Sequence, residues 1–234
     1  MLKYRRIHGR LQSPSGMDNF VYRIFRNKLP YMNQDKKLIV EAPFGERKIL
    51  LHACCAPCSL AILECLMQSG IEPFVYFFNP NIFPRSEYEH RKEELKKHCN
   101  SLKIPFSDGD YGRAEWKAAT SAFKDEPERG ARCLECFKLR LLKSAEKTRE
   151  LGLKTFTTTL ASSRWKSFEQ ICTSGKFAEE RVDGVKFWDF NWKKYGLSER
   201  RIELLKSGNF YNQLYCGCEY SMKTSPAFQK IREK

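Results

Sequence analysis

From residue 48 onward the spacing of apolar positions changes repeatedly. Lys48–Ala53 is an unbroken apolar run of strand length, the pattern of a strand buried on both faces. Pro57–Gln68 carries its apolar residues at helical spacing and stops at Gly70. Phe74–Phe78 predicts a second strand, closed by Asn79-Pro80-Asn81. Ser86–Leu102 predicts a long charged helix and Ile104–Phe106 a short strand. Arg132–Leu151 predicts another helix, with Gly152 as its stop. Lys154–Thr159 is β-branched and strand-like, Trp165–Ser174 helical, Val185–Phe190 a last strand, and Ser198–Lys206 a last helix before Gly208. Strands alternating with helices over short connections predict an α/β domain, a Rossmann-like parallel sheet with helices on both faces.

Residues 1–47 lack this alternation and are punctuated by Pro14, Gly16, Pro30 and Pro43. Within them Met17–Lys28 predicts a short helix with Phe20, Val21, Ile24 and Phe25 on one side. They are expected to form a basic extension draped on a catalytic domain spanning 48–221, followed by a tail at 222–234. No internal repeat is visible.

A chain of 234 residues, 41% hydrophobic, is expected to build one large domain, or a domain with an extension. No 18-residue apolar run exists, so no membrane partner is expected. The opening Met-Leu-Lys-Tyr-Arg-Arg-Ile-His has no apolar signal core, which predicts a cytoplasmic protein. Net charge is +14 and concentrated at the ends: residues 1–50 hold 11 Lys and Arg against 4 acids, and residues 191–234 hold 9 against 4. Tyr4, Phe20, Tyr22, Phe25, Tyr31, Trp192 and Tyr195 are interleaved with this charge. That mixture suits nucleic acid as a partner; a soluble basic protein without such a partner is the plainer alternative.

Seven of the ten cysteines fall into three tight groups: Cys54-Cys55-Ala-Pro-Cys58, Cys133-Leu-Glu-Cys136 and Cys216-Gly-Cys218. In a reducing compartment such spacing points to metal binding, a redox-active centre, or both. One zinc or one cubane takes at most four cysteines, so seven leave thiolates for a second metal or a reactive site. An iron–sulfur cluster beside another metal, a zinc site, and metal-free dithiol chemistry all remain open at this point. Cys54, Cys55 and Cys58 follow the first strand and open a helix, where ligands bind in open α/β sheets and thiol pKa falls. Cys133 and Cys136 lie about one helical turn apart, on one face. Gly217 lets the backbone bend between Cys216 and Cys218. Cys65, Cys99 and Cys172 are expected to be ordinary helix or core thiols. His52 is expected to orient a ligand or simply to pack; His90 and His98 are expected to be solvated. Asn79 and Asn81 sit at another strand end, where their amides could bind substrate or only make a turn. Neither phosphate-loop glycine pattern is present, which argues against nucleotides held in those ways.

These blocks resemble one family. Leu50-Leu51-His52-Ala53-Cys54-Cys55-Ala56-Pro57-Cys58 and Phe77-Phe78-Asn79-Pro80-Asn81-Ile82 are similar to the opening of the QueH family of cobalamin-independent epoxyqueuosine reductases. Asp125-Glu126-Pro127-Glu128 with Arg132-Cys133-Leu134-Glu135-Cys136-Phe137 resembles its second block. Phe156-Thr157-Thr158-Thr159-Leu160 resembles its third, and Tyr211-Asn212-Gln213-Leu214-Tyr215-Cys216-Gly217-Cys218 its closing motif. The chain departs after the third block, reading Ser162-Ser163-Arg164-Trp165-Lys166 where members carry a Ser-Pro-x-Lys-like turn.

The resemblance implies a HUP-like form of the α/β fold. It implies reduction of the epoxide of epoxyqueuosine at the tRNA wobble position, a [4Fe-4S] cluster and an adjacent mononuclear iron. Members can carry Asp at the position of Cys58, which implies that Cys58 serves the second iron rather than the cubane. tRNA is then the expected partner, together with an external electron donor whose identity is open. Arg132, Arg140, Lys166, Tyr211 and Gln213 flank the cysteine blocks and are expected to contact the anticodon loop; Tyr211 or Tyr215 is the expected proton donor or base-stacking group. Three rivals make different demands. A zinc-stapled RNA-binding module without catalysis would hold about one zinc. An ATP-dependent tRNA thiolation enzyme would carry a Gly- and Ser-rich loop after the first strand. A thiol oxidoreductase acting on proteins would not need the +14 charge.

Overall fold

Five parallel strands carry the domain: β1 (Lys48–His52), β2 (Glu72–Phe77), β3 (Phe106–Asp108), β4 (Thr155–Thr158) and β5 (Lys186–Phe187). They come from a computed structural model that describes residues 38–226 and residue 229. The helix predicted at Met17–Lys28, most of the basic extension and most of the 222–234 tail lie outside the described residues. Strand order is β3-β2-β1-β4-β5, that of a doubly wound sheet, as the alternation predicts. Leu50 lies opposite Phe74 on β2 and Phe156 on β4. Ile49, Leu50 and Leu51 are wholly buried, and so is Phe156, which explains why β1 reads as an unbroken apolar run.

The crossover helices are α1 (Ala56–Gln68), α2 (Arg85–Ser101), α3 (Arg113–Thr120), α4 (Ala131–Glu150) and α5 (Phe168–Glu179). The chain steps one way from β1 to β3, then returns to place β4 on the other side of β1. Right-handed crossovers therefore put α1 and α2 on one face and α4 and α5 on the other. α4 packs on α5, β1 and β4; α6 (Leu197–Ser207) packs on α1, where Arg200 forks onto Glu64 at 2.7 and 2.8 Å. A short α7 (Glu219–Thr224) follows the last cysteines. Of the extension, Val40 and Ala42 are buried, and Val40 N–H donates to Ser69 Oγ at 3.0 Å beside α1.

The elements differ from the sequence expectation in several places, each with a local cause. β5 stops at Phe187, not Phe190, because Trp188 N–H makes the last bond to Phe156 O, at 2.8 Å. Beyond it Trp188, Phe190 and Trp192 pack on one another, with centroids 4.4–5.7 Å apart. α5 starts at Phe168, not Trp165, because the Ser167 side chain caps it by accepting from Gln170 N–H. It then runs through Gly175 to Glu179. A Cβ on Gly175 would stand 2.1 Å from Phe187 Cδ1; the missing side chain lets α5 lie directly on β5. Gly175→Ala is therefore expected to destabilise the fold by about 1–3 kcal/mol through overpacking, seen as a lower urea midpoint at unchanged slope. An unchanged midpoint would show that β5 yields freely.

His98 is not solvated as expected. It is half-buried, edge-on to Phe210 at 5.3 Å, and burial lowers its pKa to about 4. The unfolded chain takes up this proton near pH 6.5 and the folded chain only near 4, so stability falls as pH drops through that window. The cost at pH 5 is about 2 kcal/mol. His98→Phe is expected to flatten this part of the stability–pH curve; an equally steep curve would assign it to other groups.

Candidate metal centre

All three cysteine groups sit at helix N-termini. Cys55 is the N-cap of α1, with Pro57 in the first turn. Cys133 lies in the first turn of α4, behind the N-cap Gly130, and Cys218 is the N-cap of α7. Backbone N–H groups there point at sulfur: Arg129 N–H donates to Cys133 Sγ at 3.3 Å and Ser221 N–H to Cys218 Sγ at 3.4 Å. Such N–H groups and the helix dipole both favour thiolate.

Cys54 occupies the crevice where the sheet order reverses, between the ends of β1 and β4. Thr159, just past β4, accepts from Cys54 N–H at 3.1 Å and donates its hydroxyl toward Cys54 Sγ at 3.4 Å. The sulfurs of Cys54, Cys55 and Cys58 all lie within 4.8 Å of one another, in full burial, with Cys54 and Cys55 3.7 Å apart. Hydrogen bonds from the Cys55 and Cys58 thiols hold the Cys54 pKa well below the usual thiol value. Burial pushes Cys55 up, and donation to Cys54 pushes Cys58 up to about 11. The trio thus gives up one proton readily and keeps the other two.

The remaining four thiols share a second neighbourhood. Burial, and then the charges of Cys136, Cys216 and Cys218, push Cys133 up to about 12. Burial also raises Cys136, and raises Cys218 to about 11 with Cys216 next in effect. So many sulfurs resist joint ionisation unless cations accompany them. Buried Lys166 donates to Ser163 Oγ at 3.1 Å. Burial disfavours its charge, but negative charge on the neighbouring cysteine sulfurs more than reverses this and raises its pKa. Arg140, also buried, lies near enough to Cys136 to lower its pKa.

The loop carrying Cys216 and Cys218 is fastened over the trio. Gln213 donates to Cys55 Sγ at 3.2 Å and reaches Cys58 Sγ at 3.9 Å. Arg91 of α2, buried and paired with Glu87 at 2.7 Å, donates to the carbonyls of Tyr215 and Cys216 at 3.4 and 3.3 Å. Gly217 has φ +137°, and a Cβ there would meet Arg91 Nη1 at 3.1 Å and Asn81 Nδ2 at 3.2 Å. Glycine is needed on both counts.

Several residues expected to face substrate are held within the fold. Arg140 donates to Asn79 Oδ1, and Asn79 Nδ2 donates to Ala53 O at 2.9 Å, which ties α4 to the end of β1. Buried Arg132 binds the carbonyls of Phe123, Lys124 and Glu126 and lies 4.1 Å over the Tyr220 ring; it braces the turn before α4. Tyr211 donates to Glu87 at 2.9 Å, and Tyr215 to Phe83 O, so both hydroxyl protons are engaged in the seam between loop and α2. Asn81 and Gln213 each keep a buried amide oxygen without a partner among the described residues. His52 is a neutral ring: burial, then Arg140, lower its pKa to about 3. Its Nε2–H donates to Phe78 O at 3.0 Å, which leaves Nδ1 to accept from Thr158 at 2.8 Å. Cys65 faces away, bonding Leu38 O at 3.5 Å. Sequence reasoning missed Thr159 and Arg91. The signal for Arg91 was its place in the buried stripe Tyr88, Arg91, Leu95, Cys99.

The family model described as epoxyqueuosine reductase QueH matches residues 49–224. The epoxyqueuosine reductase QueH of Histophilus somni is 47% identical over 79% of this chain and 76% of its own length. That of Thermotoga maritima is 36% identical over 74% of this chain and 90% of its own. Among solved structures, the U34-tRNA thiolase NcsA from Methanococcus maripaludis with its [4Fe-4S] cluster covers 92% of this chain and 78% of its own, at TM-score 0.48 and 11% identity.

Proposed function

The chain belongs to the epoxyqueuosine reductase QueH family, and from that premise we propose that it reduces epoxyqueuosine in tRNA with an iron–sulfur cluster and a neighbouring iron. The observation that supports the metal reading is three buried cysteine sulfurs inside 4.8 Å of one another, with Cys133, Cys136, Cys216 and Cys218 within electrostatic reach of one another nearby. The donor set fits: thiolates suit iron–sulfur sites, and seven exceed what one cubane uses. Cys58 is assigned to the second iron and the other thiols to the cluster and its surroundings. Such an enzyme works in the cytoplasm, beside its tRNA, where thiols stay reduced. Among the described residues no helix is long and apolar enough to cross a membrane.

The reaction breaks both epoxide C–O bonds, forms a C=C bond and releases water, consuming two electrons and two protons. When bound, the metals would supply single electrons and a Lewis-acidic position for the oxygen; the electrons originate from a donor outside the chain. The protein's share is the chamber. The loop of Gln213 and Cys216–Cys218 covers the trio and excludes water. Lys166 and Arg140 supply fixed positive charge that offsets the cost of clustered thiolates. Because most of the metal-free thiols hold their protons, metal loading releases protons and weakens as pH falls.

Anaerobic purification with iron, zinc and sulfide analysis, followed by reduction of epoxyqueuosine in tRNA, tests the proposal. A brown protein with sulfide, more iron than one cubane needs, and queuosine as product is expected. A colourless protein with about one zinc and no sulfide would overturn it in favour of a zinc-stapled RNA-binding module.

A further inference from the structure

Beside the thiol chamber lies a cationic rim that the chemistry of reduction does not use. Arg129 stands in the turn before α4, where its N–H donates to Cys133 Sγ. Its φ of +68° is a conformation unusual for a residue with a side chain. Gln170 holds it there, donating to the Arg129 carbonyl at 2.7 Å. The Arg129 guanidinium crosses to the next loop and donates to the carbonyls of Arg164 and Trp165 at 2.9 and 3.3 Å. Arg164 is exposed and lies 4.9 Å over the half-buried Trp165 ring. Lys193, half-buried, completes the group. Burial, then the charges of Arg129 and Lys166, lower its pKa, which places three cations within electrostatic reach of one another. Among the described residues no carboxylate forms an ion pair with Arg129, Arg164, Lys166 or Lys193.

Cations gathered here without acidic partners suit an anion from outside the chain. An aromatic ring inside such a group suits a nucleic acid, whose bases stack while its phosphates pair. The distance from rim to thiol is one hydrogen bond, that between Arg129 N and Cys133 Sγ. We infer that Arg129, Arg164, Trp165 and Lys193 form the surface that takes the RNA backbone beside the target nucleotide, with Trp165 stacking on a neighbouring base. This assignment rests on the reductase reading and names the face by which the tRNA approaches.

The test is binding of a wobble-guanine tRNA transcript to the metal-loaded enzyme at several salt concentrations, together with reduction of epoxyqueuosine-tRNA. Arg129 is left intact because it ties the loops together. For Arg164→Glu with Lys193→Glu, Kd is expected to rise about 10-fold or more and the salt slope to fall by about 1–2, as loss of two phosphate contacts requires. Arg164→Gln with Lys193→Gln repeats the test without added repulsion, and iron content checks that the centre still assembles. Trp165→Leu is expected to weaken binding about 10-fold with an unchanged slope, because stacking carries no counterions. A wild-type enzyme that reduces its substrate, beside variants of unchanged Kd and slope, would overturn the surface assignment and leave the reductase reading standing. A metal-loaded wild type that neither binds tRNA nor reduces it would remove both.

Discussion

Cys54→Ala is expected to abolish iron retention and to lower epoxyqueuosine reduction by more than the roughly 10–100-fold that changes to groups supporting a metal ligand cost. Cys54 lies at the reversal of strand order, and Thr159 fixes both its N–H and its sulfur. It also accepts from the other two thiols of the trio and is the first of them to ionise. Removing it takes away the acceptor around which Cys55 and Cys58 are arranged. The side chain is small and the backbone bond to Thr159 survives, so the fold should persist with a loss of about 1 kcal/mol. Cys65→Ala is the control: Cys65 is comparably buried but faces Leu38, and its loss should leave iron and rate unchanged. Iron and sulfide content after anaerobic reconstitution, with single-turnover rates, decides the matter. Full iron and full rate in Cys54→Ala would exclude Cys54 as a ligand.

Arg91→Met is expected to cost about 3–5 kcal/mol of stability, the usual loss when one partner of a buried ion pair is removed. Glu87 would keep a largely buried carboxylate with only the Tyr211 hydroxyl to serve it. The carbonyls of Tyr215 and Cys216 would lose their donors. Adding Glu87→Gln should restore much of the stability, because the stranded charge is gone. It should not restore activity, since the two bonds by which Arg91 holds the Tyr215–Cys216 backbone against α2 are still missing. Urea unfolding measures the first effect. Alkylation rates of Cys216 and Cys218 in the metal-free protein measure the second, and should rise in both variants. Unchanged alkylation would show that Gln213 and the Tyr215 hydroxyl suffice to hold the loop.

The order of strands and helices was readable because β1 and β4 are buried on both faces and α1, α4 and α6 run into glycines, Gly70, Gly152 and Gly208. α3 was not, because Arg113–Thr120 is short and polar and takes its place from Trp116, buried beneath the Arg113 guanidinium. The cysteine groups were readable as a site because thiols at such spacing have few other uses. How they divide was not: three sulfurs meet within α1's first turn, while the other four come together only when α4 and the last loop do. Arg132 and Arg140 read as contacts for RNA because they flank the cysteine blocks in the sequence. Arg140 is buried against a partner far along the chain, Asn79, 61 positions away, while Arg132 turns back onto the carbonyls of Phe123, Lys124 and Glu126. Lys166, read the same way, is buried beside Ser163.

The bond from Gln213 to Cys55 spans 158 positions, and so ties the birth of the centre to the synthesis of the covering loop. While the ribosome is still adding residues beyond α5, the emerging domain can place Cys54, Cys55, Cys58, Cys133 and Cys136, yet it lacks the covering loop. Those sulfurs stand open to oxidants and to stray zinc until the covering loop leaves the exit tunnel. Iron delivery is therefore expected to favour a chain that already carries its covering loop, and a truncation before residue 211 should collect zinc in its place.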